Sequence, residues 1–170
     1  AAVNETLARY VKSTYGVESH LDFEFEKYYR RFFLPQRRGE SVQGRAKGYA
    51  GIRVDDDGEE LEIVGMEAVR SDWTDIAHTV QRRLLEMVFD NASADELDKY
   101  LATLVSSVKS GDRDEDLVYR KRLRKPVDQY TRTTPPHVKA ARLLPDPHGM
   151  IRYLVTTEGP QPLGYVTAPL

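Results

Sequence analysis

Cysteine is missing altogether from the 170 residues. Its absence excludes disulfides, thiolate zinc sites and cysteine nucleophiles, and it fits a reducing compartment. Long apolar runs are missing too. A membrane-spanning helix needs roughly 20 consecutive apolar residues. No run here exceeds a few, so neither a span nor a signal-peptide core is expected. Histidine is sparse: His20, His78, His137 and His148 lie far apart, with no His-x-x-x-His pair to begin a zinc site. Gly-x-x-x-x-Gly-Lys-Ser/Thr and Gly-x-Ser-x-Gly are absent, which removes the phosphate-binding P-loop and the serine nucleophile elbow as readings. Asp55-Asp56-Asp57 lacks the alternating ligand spacing and the bidentate Glu of a calcium loop, and reads as a solvated hairpin tip. The chain also opens Ala-Ala-Val-Asn without methionine, so an excised piece or a processed chain is expected.

Charged residues make up 31% of the sequence and hydrophobic residues 40%, which suits a folded core under a strongly hydrated surface. The length predicts one domain or two small lobes. Net charge is only −2, but its distribution is uneven. From Arg120 to Arg142 there are eight basic residues against one acid, Asp128, a local charge of +7 that leaves −9 for the remainder. A second basic stretch holds Arg30, Arg31, Arg37, Arg38, Arg45 and Lys47, opposed by Glu40. Two readings follow: a positive face aimed at one polyanion, or a solvated surface laced with ion pairs.

The four-residue spacing of Val3, Leu7, Val11 and Tyr15 predicts a helix over 2–15. Leu21 to Glu26 alternates strictly. That predicts a strand with the apolar side chains on one face and Asp22, Glu24 and Glu26 on the other. Strands are also expected over 29–34, ended by Pro35, and over 49–54 and 60–64, joined through Asp57-Gly58. Ser71 or Asp72 should cap a helix running through Trp73, Ile76, Val80, Leu84 and Val88. Ser93 and Glu96 form a capping box for the next helix, which should bury Leu97, Leu101, Leu104 and Val108 and end at Gly111. Residues 117–123 read as extended and basic. Thr134 is the expected cap of a short further helix, with Pro135 at its first position. Residues 150–157 read as a strand and 158–162 as a turn. The fold class is therefore α+β. A helix with antiparallel strands occupies 1–72, and a mainly helical part with a small β element occupies 73–170.

Two groups of residues carry candidate chemistry. Asp22, Glu24 and Glu26 share one strand face, which suits either a place beside divalent metals in phosphoryl transfer or the wet face of an edge strand. Residues 119–142 combine alternating cations with Tyr119 and Tyr130, followed by a helix start at Pro135 with His137 and Lys139 in its first turns. Basic strand, aromatics and helix start together point to sequence-independent binding of a nucleic-acid backbone, with a protein–protein surface as the alternative.

Several stretches then become familiar in order. Leu21-Asp22-Phe23-Glu24-Phe25-Glu26-Lys27, followed by Lys47-Gly48-Tyr49-Ala50-Gly51, resembles the palm of family B DNA polymerases. Gly65-Met66-Glu67-Ala68-Val69-Arg70-Ser71-Asp72-Trp73 is similar to that family's junction into the thumb. Leu117-Val118-Tyr119-Arg120-Lys121-Arg122-Leu123-Arg124, then Tyr130, then Pro135-Pro136-His137-Val138-Lys139-Ala140-Ala141-Arg142 resembles the thumb of its bacterial polymerase II branch, and 152–160 resembles the strand that follows there. The likeness covers essentially the whole chain.

The resemblance implies the C-terminal part of a palm over 1–72 and a thumb over 73–170. It implies an enzyme that extends a primer on a template with two Mg²⁺ ions and dNTP. Its partner would be primer–template duplex DNA, and it would be cytoplasmic and nucleoid-associated, with any sliding clamp reached through other regions. By residue, Lys47 and Tyr49 would meet the duplex near the primer terminus. Tyr119, Lys121, Arg124, Tyr130, His137 and Lys139 would meet its backbone, and Glu24 and Glu26 would form an acidic shell beside the metal site. The family's Lys-Lys-Arg-Tyr stands here as Ala46-Lys47-Gly48-Tyr49, two cations fewer, and 144–150 is shorter. The family's Asp-Thr-Asp metal ligands, nucleotide-selection motifs and exonuclease carboxylates are not in the sequence. The chain alone is thus expected to carry no catalytic residue, to bind no metal directly and not to polymerise. A stand-alone, non-catalytic DNA-binding module remains as a second reading, and a domain whose basic face binds an acidic protein as a third.

Overall fold

A computed structural model describes residues 2–36 and 47–166. Helix α1 (Ala2–Tyr15) is followed by a three-stranded antiparallel sheet in the order β1 (Tyr28–Phe33), β2 (Tyr49–Asp55), β3 (Gly58–Val64). Asp55 pairs with Gly58 across the expected tight turn, and the register then aligns Arg53 with Glu60, Ile52 with Leu61 and Ala50 with Ile63. The strand expected over 21–26 does not form: this stretch is unpaired and exposed. A strand needs a hydrogen-bonded neighbouring strand, and here only side chains meet the backbone: the Ser19 hydroxyl accepts the Leu21 N–H at 3.2 Å, and Asn4 engages Phe23. Asn4 of α1 accepts the Phe23 N–H at 2.9 Å, donates to the Phe23 carbonyl at 3.1 Å and donates to the Asp22 carboxylate. Alternation carries no information about a partner strand.

One face of the sheet is apolar. Ala50 and Ile63 pack with Met66 against Leu85 and Phe89 of helix α2 (Asp75–Phe89), with Ile52, Leu61 and Ala68 around them. The first core therefore runs from the hairpin into α2. The helix starts later than the sequence suggests. Thr74 is its N-cap residue, while Ser71 and Asp72 lie before it and Asp72 is engaged by other partners. Ser93 and Glu96 form the expected capping box of helix α3 (Ala94–Lys109), and Gly111 follows at φ +82°. No residue of α3 is buried, contrary to expectation: Leu97, Leu104 and Val108 are half-buried and Leu101 is exposed. A groove of about 660 Å³, lined by His78, Arg82, Tyr100, Leu104 and Ser107 among others, separates α3 from α2, so the apolar stripe meets an open cleft.

The second sheet has the order β4 (Tyr119–Arg122), β5 (Met150–Thr156), β6 (Gly159–Pro162), all antiparallel. Helix α4 (Pro136–Ala141) lies on it, burying Ala140 and Ala141 against Ile151 and Tyr153, with Leu123, Val127 and Leu144 at the margin. The helix starts one residue later than expected, with Pro135 as cap residue and Pro136 inside. At six residues it is too short to develop much of a dipole. Pro160 to Pro162, read as turn, instead forms an edge strand, where a missing N–H is tolerated.

Gly65 closes the first sheet. It sits at φ +61°, and a Cβ there would lie 1.8 Å from the Lys47 carbonyl oxygen. Gly65→Ala is expected to cost about 1–3 kcal/mol through backbone strain and the clash. The check is a urea titration, in which the midpoint should fall while the slope stays constant.

Candidate nucleic-acid interface

The two basic stretches are used differently. In the first sheet, the cations are largely satisfied at home. Arg30 pairs with Glu59 at 2.6 Å, and Lys27 with Glu62 at 2.6 Å. Arg53 reaches Asp55 at 3.0 Å and Glu60 at 3.1 Å. Arg31 donates to the Phe89 carbonyl and, at 2.7 Å, to Asn91, so it closes the C-terminal end of α2 where a cation is favoured. Arg37, Arg38, Glu40 and Arg45 lie outside the described residues. Lys47 is exposed in the turn before β2 and has no acidic partner among the described residues. Tyr49 is half-buried, its ring 5.3 Å from Phe32 and 6.1 Å from Tyr29. Gly51 makes room for this cluster: a Cβ there would stand 2.6 Å from the Tyr29 ring.

The second stretch is docked onto the start of α2 by two acids. Asp72 accepts both Nε and Nη2 of Arg70 at 3.0 Å, and its Oδ2 lies 3.3 Å from the Lys121 ammonium. The Arg70 fork, aided by Lys121, holds the Asp72 carboxyl well below the usual carboxylate range. Beside it Arg120 pairs with Asp75 at 2.7 Å. Val118, just ahead of β4, is buried, so strand β4 meets α2 through a seam of two ion pairs next to apolar packing.

Behind the strand, Tyr119 stacks on Tyr153 at 5.3 Å with 18° between the rings. Burial pushes the Tyr153 hydroxyl up, with the charges of Tyr119 and Asp72 adding to it. Tyr119 is thus committed to packing on one face. Tyr130 gathers the segment after β4. Its hydroxyl accepts the Arg124 N–H at 3.2 Å, its ring lies 4.7 Å under the Lys125 ammonium, and its carbonyl accepts Arg142 at 3.2 Å. The His137 ring meets Tyr130 edge-on at 6.2 Å. Burial, reinforced by the Lys121 charge, lowers the His137 pKa. Arg122, Arg124, Arg132 and Lys139 are exposed, and among the described residues none has a carboxylate within ion-pair distance.

The structure thus brings Lys121, Arg124, Tyr130 and His137 into one neighbourhood, with Lys139 on the same short helix as His137. Lys47 and Tyr49 stand apart, on the first sheet. Sequence reasoning missed Asp72 and Asp75 as anchors of the basic strand, and Lys125 and Arg142 as partners of Tyr130. It also missed Tyr153, although its place in an alternating strand marked it as inward-facing. Glu24 and Glu26 are exposed on the unpaired stretch. Among the described residues no group of three His, Asp or Glu side chains is placed to hold a metal ion. The donor set for the Mg²⁺ ions that the resemblance implies is not assembled by these residues, and no metal-dependent step is assigned to them. Among the described residues no helix is long and apolar enough to cross a membrane.

The described residues thus form an α+β chain on which Arg122, Arg124, Arg132 and Lys139 are left without carboxylate partners, while Arg120 and Lys121 are paired. The family model for DNA polymerase family B matches residues 1–149, and the chain belongs to that family. It is 38% identical over 164 residues to DNA polymerase II of Escherichia coli, covering 89% of this chain and 20% of that protein. It is 32% identical over 166 residues to DNA polymerase 2 of Aeropyrum pernix, covering 94% of this chain and 19% of that protein. A DNA polymerase of Methanocaldococcus jannaschii is 31% identical over 126 residues, 73% of this chain and 7% of that protein. The chain therefore spans about a fifth of the length of the first two relatives.

The Asp72 anchor generates a pH prediction. A carboxyl whose pKa is depressed in the folded state adds stability that is complete above its unfolded pKa of about 3.9 and is lost as pH falls through the folded value. Asp72→Asn should therefore lower stability at pH 7, by about 1 kcal/mol for a partly exposed pair. The gap to the parent chain should close progressively below pH 4. Urea midpoints at pH 7 and across the acid range test this; a gap that is constant with pH would remove Asp72 as an ionised anchor.

Proposed function

We propose that this chain supplies part of the primer–template grip of a DNA polymerase, with the C-terminal part of the palm over 1–72 and the thumb over 73–170. The observation that carries the reading is the set of exposed cations from β4 to α4 that lack carboxylate partners, beside a first sheet whose cations are paired. Cations left without acids retain their full attraction for phosphates and release counterions when they meet them. Arg124 and Lys139 are assigned to the duplex backbone, with Lys121 shared between Asp72 and a phosphate. Tyr130 and His137 support the surface, and Tyr119 backs it from the Tyr153 side. Lys47 and Tyr49 are assigned to the duplex near the primer terminus.

In this reading the reaction, attack of the primer 3′-hydroxyl on a dNTP, belongs to the whole polymerase. The dNTP, its Mg²⁺ ions and any sliding clamp are handled by residues other than those described here, with Glu24 and Glu26 as an acidic shell nearby. The enzyme works on DNA in the bacterial cytoplasm, and the chain by itself does not polymerise. The names of the relatives and the family match support the polymerase assignment.

The test is fluorescence anisotropy of the 170-residue chain with a labelled primer–template duplex, over a salt series. Arg124→Glu combined with Lys139→Glu should weaken binding at least tenfold for duplexes of unrelated sequence. The slope of log affinity against log salt should become shallower by about 0.9 for each phosphate that is no longer neutralised. Equal affinity of the parent chain for heparin and duplex would favour a general acidic partner instead, and an unchanged salt slope in the double variant would overturn the assignment of these residues.

A further inference from the structure

The loop between β4 and α4 holds a small open cavity of about 390 Å³ lined by Lys125, Tyr130, Thr131, Arg132, Thr133 and Pro135. No carboxylate lines it, and Asp128 is the only acid between Arg120 and Arg142. Two cations stand on its walls, together with two threonines. One cation is held in place. The Lys125 ammonium donates to the Gln129 carbonyl at 2.6 Å and rests 4.7 Å from the centre of the Tyr130 ring. A single carbonyl uses one of its three N–H donors and none of its charge. The other cation, Arg132, is exposed and has no acidic partner among the described residues. Tyr130 itself is fixed on three sides by the Arg124 N–H, the Arg142 guanidinium and the His137 ring. The floor of the cavity is therefore rigid, and the Lys125 donor is in place before any ligand arrives.

We propose that this cavity is a binding site for one phosphodiester of the DNA backbone, held by Lys125 and Arg132 with the Thr131 and Thr133 hydroxyls as neutral donors. The site rests on the reading of the chain as a duplex-binding element and deepens it. None of these four residues belongs to the set that the family resemblance assigns to the duplex. The chemistry favours a phosphodiester over the planar carboxylate of an acidic peptide, because a tetrahedral group offers oxygens in several directions to donors spread over the lining. The Tyr130 ring gives the site its second property. A cation resting on an aromatic face is less free to swing into solvent, so less side-chain entropy is lost when the phosphate binds.

Two measurements on the 170-residue chain test this. The first compares Lys125→Gln combined with Arg132→Gln against the parent chain, with the same labelled duplex over a salt series. Removing the grip on one phosphate should reduce affinity roughly tenfold at low salt and make the slope shallower by about 0.9. The second walks a single uncharged methylphosphonate linkage along the duplex. At one position the neutral linkage should weaken binding by the parent chain, and that loss should vanish in the double variant. The second measurement compares modified with unmodified duplex separately on each protein, so a general weakening of the variant through lower stability cancels out. If the neutral linkage costs the same for both proteins at every position, the site is overturned. If Arg124→Glu with Lys139→Glu weakens binding while Lys125→Gln with Arg132→Gln does not, the cavity fails and the duplex-binding reading stands. If the parent chain shows no salt-dependent duplex binding, both fail together.

Discussion

The carboxylate of Asp72 stands between the guanidinium of Arg70 and the ammonium of Lys121, with Asp75 and Arg120 repeating the contact beside it. On this seam the rest of the basic half depends. A segment carrying +7 repels itself and has no reason to lie flat on a fold unless something of opposite sign receives it. Each pair, partly exposed, is worth only about 0.2–1 kcal/mol. Their effect lies in position. They fix strand β4 at the start of α2, next to buried Val118, and so decide which face of the strand turns outward. Tyr119 then goes to Tyr153 and the second core, while Arg122 and Arg124 are left to solvent.

This arrangement separates two kinds of cation that composition cannot tell apart. At the first sheet Lys27, Arg30 and Arg53 each have an acid on β3, and Arg31 closes the end of α2. These are structural cations, and their charge is largely cancelled at short range. In the second half, acids meet β4 only at its docked side. The near-neutral total of −2 therefore conceals +7 between Arg120 and Arg142, where Arg120 and Lys121 are paired and Arg122, Arg124, Arg132 and Lys139 are not, against −9 for the rest of the chain. A diffuse polyanion senses that difference, because exposed charges act over roughly 8–10 Å at moderate salt while compensated pairs present little net field.

Much of this was legible from local chemistry. Asp57-Gly58 marked the hairpin, although its turn residues are Asp56 and Asp57 and Gly58 opens β3; the Ser93–Glu96 box located the start of α3, and Gly111 follows its end. The charge map marked the segment from Arg120 to Arg142, whose cations from Arg122 onward have no carboxylate partner among the described residues. What was not legible depends on partners distant in sequence. Alternation over Leu21–Glu26 specified two faces but no neighbour, and the partners it finds are the side chains of Asn4 and Ser19. Asp72 looked like a helix cap because caps are recognised by residue type; in the structure it is engaged by the Arg70 fork and by Lys121, which lies far along the chain. The stripe on α3 predicted burial, but burial needs a facing layer, and α2 stands across a cleft. At the site, the row of cations was visible, whereas the role of Tyr130 as its common anchor was not. That role arises from contacts with Arg124, Lys125, His137 and Arg142 that no spacing rule encodes.

The same contacts bear on the kind of recognition the surface supports. Reading a base edge requires a side chain held so that two donors or acceptors face the groove at fixed spacing, as Arg does for guanine or Asn and Gln for adenine. From Arg120 to Arg142 there is no asparagine, and the one glutamine, Gln129, contributes its main-chain carbonyl to hold Lys125. The arginines left to solvent lie on a strand end and a loop, where their stems are free to follow a backbone rather than lock to a base. Aromatic rings stiffen the platform without presenting a pattern of donors. A surface built this way binds charge and contour and is indifferent to sequence. Under the proposed reading that is a requirement, since a product duplex must pass across the grip one base pair at a time whatever its sequence, and any base-specific contact would make some steps of that passage slower than others.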